Sequence, residues 1–327
     1  MADLLSPYLH HHEDTPDDYV PCLAGFQQLL GDSTQSPKVF HLHHFDCFGY
    51  LPMAWRRLLG ELSSKGYSLL VTTASGFDDD ALAFLRSSSI CVVRRPNRGL
   101  CIGAFRDTAL LACAMHAAGV EWDHLILMND SVLPVGELTN QLANLNSLVQ
   151  FAPLDAPSLS GFTESYIFSH HLQSFGLCAN RLLLRDPSWQ LFWFLLDANV
   201  DKEALIRAGE VGLSSALRST GVKLYPLYPI VSCLLLDPTS MDDLLQYRYT
   251  TFRGLNSSVN LWRTLLHQGF SFIKKEVLFD LSSRFGGPSC VHDLLLRAPT
   301  GFRDEFACDL TRLLVGRLAM VEASELN

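Results

Sequence analysis

Basic charge is scarce in this sequence. Lys and Arg number 25 against 34 Asp and Glu, a formal net charge of −9 over 327 residues. Coating nucleic acid or lying flat on an anionic bilayer takes a broad positive field. The composition therefore excludes a nucleic-acid partner and leaves at most peripheral membrane contact. An anionic small ligand stays open, because it needs only a local basic cluster. An apolar run of the ~18–20 residues that a membrane-spanning helix requires is not expected either. The most apolar stretch, residues 224–236, is interrupted by Pro226 and Pro229 and reads as a buried strand. The first 19 residues carry three histidines and five acids, with neither the basic start nor the apolar centre of an export signal. None of the nine cysteines forms a C-x-x-C pair, so reduced thiols and a cytoplasmic location are expected.

What is present is 48% hydrophobic residues in a chain long enough for a large core and an appendage. Residues 1–36, broken by Pro16 and Pro21, read as an irregular lead-in. Strands are expected at 39–44, 67–73, 90–93 and 124–128, and helices at 51–65, 78–86 and about 104–118. The order β-α-β-α-β-α-β predicts an α/β fold with a mostly parallel sheet flanked by helices. Further strands are expected near 159–161, 174–180 and 223–228, and helices at 189–196, 202–208 and 210–220. The main domain spans 37–255, and 256–327 reads as a helical C-terminal segment with a turn at Gly286, Gly287 and Pro288.

In open α/β sheets ligands sit beyond the carboxyl ends of the strands, and two polar turns fall there. Arg94, Arg95, Asn97, Arg98 and Gly99 form a basic turn, with Gly103 as its last residue before a helix. It reads either as a cradle for a diphosphate, guanidinium groups and helix N–H groups together, or as a solvated basic loop. Asn129, Asp130 and Ser131 follow the most apolar strand; they suit a sugar hydroxyl or a divalent cation at Asp130, or simply a self-satisfied turn. Glu210, placed at a helix start after Gly209, is either a capping acid or a general base. His171, Gln173 and Ser174 either bind a polyol or finish a loop. His41 and His43 share one strand face and read as hydrogen-bonded core histidines rather than metal ligands. Cys101 at a helix start reads as a packed thiol, with a cysteine hydrolase as the weaker alternative. Lys274 and Lys275 beside Phe270 and Phe272 are too few to assert contact with anionic lipid.

In order along the chain stand the strand at 39–45, L-L-V-T-T at 69–73, P-N-R-G-L-C-I-G-A-F at 96–105 and L-I-L-M-N-D-S-V at 125–132. H-L-Q-S-F-G-L at 171–177, F-W at 192–193, E-V-G-L-S-S-A-L at 210–217 and G-F-S-F-I-K-K-E at 269–276 follow. This series resembles the rhamnan synthesis F family of bacterial glycosyltransferases of lipopolysaccharide and surface-polysaccharide assembly. The resemblance implies a GT-A-like fold and transfer of a sugar, rhamnose or another deoxyhexose among the candidates, from a nucleotide-sugar donor to a glycan or lipid-linked glycan hydroxyl, with inversion. It implies that Arg95 and Arg98, with Mg²⁺ or Mn²⁺ on Asp130, neutralise the departing diphosphate, and that Glu210 is the base. It also implies work at the inner membrane face. The N-D-S turn keeps only the central acid of the D-x-D metal motif, and Cys101 stands where the family commonly has an acid. The alternative is a catalytically degenerate sugar-nucleotide-binding scaffold in polysaccharide assembly.

Overall fold

A computed structural model describes residues 38–236, 255–279, 291–292, 294–295 and 302–325. The lead-in at 1–36 and the turn at 286–288 lie outside the described residues. The first strands and helices are β1 (Lys38–His44), α1 (Met53–Ser64), β2 (Ser68–Thr73), α2 (Asp79–Ser87), β3 (Cys91–Arg94), α3 (Leu100–Ala117), β4 (His124–Asn129) and β5 (Val132–Pro134). After α4 (Leu138–Gln150) come β6 (Ser158–Ser165), β7 (His171–Leu172), β8 (Gly176–Asn180) and α5 (Pro187–Leu195). Next is α6, which runs through Lys202–Leu205, a π turn at Ile206–Val211 and Gly212–Ser219. Then come β9 (Lys223–Tyr228), α7 (Ile230–Leu236), β10 (Phe272–Lys274) and α8 (Arg303–Glu325), with short helical turns at Arg181–Leu184, Ser257–Asn260, Trp262–His267 and Lys275–Leu278.

The main sheet runs β3-β2-β1-β4-β8-β6-β7, with β9 paired to β6. Its first four strands are mutually parallel, and β9 is parallel to β6. β8 is antiparallel to both neighbours, and β7 is antiparallel to β6. The fold is thus α/β with a mixed, mostly parallel sheet flanked by helices and a C-terminal helix.

Strand side chains alternate between two cores, which is why these strands are apolar on both faces. Phe40, Leu42, Val71, Ile126 and Met128 pack with α1, whose Trp55, Leu58, Leu59 and Leu62 form one buried stripe. Val39, Leu70, Leu125 and Leu127 pack on the other face with α3 and α5. Arg106, buried on α3, donates from Nε to the Trp193 carbonyl at 2.9 Å. It thereby satisfies one of the α5 C-terminal carbonyls that no helical N–H can reach.

Four expectations need correction. α3 begins at Leu100 rather than near Ala104, so Gly103 lies inside the helix. That helix is also long and apolar enough to cross a membrane by composition, yet 72% of it is buried in the protein. Residues 224–236 hold a half-buried strand and then α7 instead of one buried strand, because Pro229 ends the extended run. The segment after Asn256 is not helical throughout: β10 pairs antiparallel with β5, and Phe270, Phe272, Ile273 and Val277 join the α1-side core. α4 has no counterpart among the helices expected from the sequence.

Candidate functional site

The chain passes from β1 to β2 and β3 on one side of β1, then returns to β4 on the other. The carboxyl ends of β1 and β4 therefore flank the point where strand order reverses, the usual ligand crevice of such sheets. A cleft of about 800 Å³ opens there, within the size range of small-molecule sites. Phe45 and Asp46 line it from β1, Asn129, Asp130 and Ser131 from β4, and Leu100, Cys101 and Ile102 from the start of α3. His171, Gln173, Ser174 and Glu210 also line it, as do Lys274, Lys275 and Arg317.

The two polar turns meet this cleft differently. Asp130 faces cations and donors: Lys275 Nζ donates to its Oδ2 at 3.0 Å, the Phe45 N–H does so at 3.2 Å, and His44 Nδ1 lies 2.9 Å away. Burial alone would raise its pKa, but Lys275 and His44 together outweigh that and hold the carboxyl well below the ordinary range. Asn129 and Ser131 satisfy each other, since Asn129 Oδ1 accepts from both the backbone N–H and the hydroxyl of Ser131. A divalent cation on Oδ2 does not fit this arrangement. The contacts on Oδ2 come from an ammonium, a backbone N–H and an imidazole, and the ammonium already supplies the compensating charge.

The basic turn contributes its helix start but not its arginines. Arg95 is buried, with Nε donating to Asp107 Oδ2 at 2.9 Å and its terminal nitrogens donating to the carbonyls of Leu100 and Arg98. The guanidinium is a clamp that closes the turn. Asn97 and Arg98 are exposed, and neither they nor Arg95 line the cleft. Gly99 sits in the left-handed region at φ +69 and seats the turn against Ala198. Gly103 lets the turn lie on the helix: a Cβ there would come within 2.0 Å of the Arg98 carbonyl oxygen. Both glycines thus serve packing, and neither lines the cleft. Gly103→Ala is expected to cost about 2–3 kcal/mol by overpacking. Gly60→Ala, whose Cβ would meet only Phe84 at 3.9 Å, should gain about 0.5–1 kcal/mol from helix propensity. Urea unfolding of the two variants checks the opposite signs.

Glu210 corrects a further expectation. It is not at a helix N-terminus; it lies in the π turn within α6, where Gly209 packs so closely on Ile102 that a Cβ would fall 2.6 Å from its Cγ2. Such turns recur at functional sites because they re-aim one side chain. Ser174 Oγ donates to Glu210 Oε1 at 2.7 Å, and His171 Nε2 lies 3.7 Å from Oε2. Burial lowers the His171 pKa despite the Ser169 carbonyl, which accepts from Nδ1 at 2.7 Å. A neutral ring with its proton on Nδ1 turns a lone pair toward Glu210. Gln173 is tied down by Thr163 Oγ1, Ser257 Oγ and Asn256 Oδ1.

The Cys101 thiol is pushed up to about 12, first by burial and then by Glu210 and Asp130. It stays protonated, which removes the basis for a thiolate nucleophile. His41 Nε2 and His43 Nδ1 both meet Thr72 Oγ1, at 2.8 and 3.0 Å, as core histidines. Phe270 and Phe272 are buried in the core rather than offered to lipid.

Sequence reasoning missed Phe45, Asp46, Arg317 and the role of Lys275. The first two follow β1 at the same carboxyl edge as Asp130, and the strand-end rule applied to every strand would have found them. Lys275 carries no local signal. Against known protein families and curated proteins, the chain finds no match.

Proposed function

We propose that the protein is a glycosyltransferase with a GT-A-like domain, taking a sugar from a nucleotide-sugar donor to a hydroxyl of a bacterial surface glycan, with Glu210 as general base. The observation that carries this reading is one cleft lined by two unlike sets of groups. The first set is Phe45 as a face for a base, the uncapped first turn of α3 as anion donors and Lys275 as a cation. The second set is the Glu210 carboxylate, oriented by Ser174 and backed by the neutral His171 imidazole. A sugar held with its diphosphate on the first set and its acceptor hydroxyl near Glu210 has the two charges a displacement needs. The leaving diphosphate is met by positive groups, and the attacking hydroxyl has a base to take its proton as the anomeric carbon gains cationic character. The family resemblance supports the donor class and, through it, a cytoplasmic site of action with a glycan or lipid-linked acceptor. It also supports inversion, which requires no covalent sugar intermediate on the protein.

A second reading, a sugar-nucleotide-binding scaffold without turnover, is favoured by Cys101, a neutral thiol where the family commonly has an acid. A thermal-shift screen against nucleotide sugars tests what the two readings share. A donor at about a hundred times its Kd should add about 2.7 kcal/mol to apparent stability. No shift with any nucleotide sugar sinks both. A shift with hydrolysis of the donor supports the transferase, and a shift without turnover across acceptors supports the scaffold.

A further inference from the structure

Lys275 is delivered to Asp130 by the fold rather than by a wandering side chain. β10 pairs with β5 so that Lys274 stands opposite Val132, and the Lys275 N–H donates to the Ser131 carbonyl at 2.8 Å. The residue is thereby strapped to the Asn129–Asp130–Ser131 turn at backbone level. Its ammonium has three donors, and the hydrogen bond to Asp130 Oδ2 takes one of them. Its side chain is 16% exposed, and the residue lines the cleft. Lys274 precedes it on the same strand end, and Arg317 stands exposed on the same cleft. The arginines of the basic turn, by contrast, are absent from the cleft lining.

We propose that this cleft binds a nucleoside diphosphate without a divalent cation, with the Lys275 ammonium, positioned by Asp130, standing where a metal ion would otherwise bridge carboxylate and phosphate. This rests on the nucleotide-sugar reading above and deepens it by naming what neutralises the diphosphate. Two consequences separate it from a metal-bridged site, and their signs differ at Asp130. Where a metal bridges, Asp130 is a ligand and its loss abolishes binding. Here Asp130 only orients an ammonium that the β10–β5 pairing already delivers, and its negative charge repels the phosphates. Asp130→Asn therefore keeps diphosphate affinity or raises it, because the ammonium is released from its partner.

The test is calorimetric titration of the full chain with UDP, GDP and dTDP and with the matching nucleosides, in chelator and in Mg²⁺. The expected result is that at least one diphosphate binds equally well in both. Lys275→Met should weaken it about 10- to 100-fold, as loss of a charged hydrogen-bond donor does, with the nucleoside affected little. Binding that appears only with Mg²⁺, and disappears in Asp130→Asn, overturns this inference and leaves the transferase reading standing. Failure of every nucleotide to bind in either buffer overturns both together. The chelator comparison on the unmodified protein decides the matter even if a variant does not fold.

Discussion

Replacing Glu210 with Gln is expected to cut donor turnover by about 10²- to 10⁴-fold, the usual contribution of a positioned general base, while fold and donor affinity persist. The substitution suits the site because glutamine keeps the shape and the accepting oxygen. Its Oε1 can still take the Ser174 hydroxyl proton, as Glu210 Oε1 does at 2.7 Å. Its amide would face the His171 Nε2 lone pair, now 3.7 Å from the carboxylate, so a donor meets an acceptor. Only the capacity to take a proton is removed. Steady-state hydrolysis or transfer with a donor found by thermal shift is the measurement, and the melting temperature of each protein is the control. A variant that turns over donor at the unaltered rate removes Glu210 from the chemistry. In that case the acceptor's proton must go elsewhere, and Asp130 does not offer a place, since Lys275 and His44 already hold it ionised.

The parts of this fold that are legible in the sequence are those where one physical rule acts locally. Residues 125–128 are apolar at successive positions, as a strand with a core on each face must be. The stripe Trp55, Leu58, Leu59 and Leu62 is by its spacing enough to mark α1 as a helix and to name its buried face. Direction is harder, because the apolar run of a strand is the same whether its neighbour is parallel or antiparallel. β8 accordingly brings an antiparallel ladder into a sheet expected to be mostly parallel.

At the site, residue type misled in one direction and distance in the other. A guanidinium in a turn is equally suited to phosphate and to carbonyl oxygens, and Arg95 spends its donors on the Leu100 and Arg98 carbonyls and on Asp107. Gly209 resembled a break before a new helix, whereas it packs on Ile102 from a π turn within a continuous one. Lys275 lies 145 residues from Asp130. Only the pairing of β10 with β5 joins them, and a three-residue strand leaves almost no periodic trace.

Stability should fall steeply as the solution is acidified through the histidine range, because His41 and His43 are buried beneath α3 as neutral rings. His43 is pushed down from 6.5 to about 3, chiefly by burial and then by Arg95, against the opposing pull of Asp130. His41 is lowered well below 6.5 by burial, with His43 and Arg95 adding to it. The unfolded chain therefore binds more protons than the folded one between these limits. Stability is complete above the unfolded value and is lost as pH drops below it toward the folded value. From about pH 7 to about pH 5, His43 alone should remove about 2 kcal/mol, and His41 acts in the same direction. Asp130 does not confuse the window. Its contribution is present above 3.8 and is lost only as pH falls below that value toward its depressed folded pKa. Urea midpoints measured across this range should shift with a slope of more than one proton. His43→Asn, able to keep a hydrogen bond to Thr72, should lower that slope by about one proton. A midpoint that stays level through the window would mean that the two rings are hydrated or charged in the folded protein, contrary to their burial.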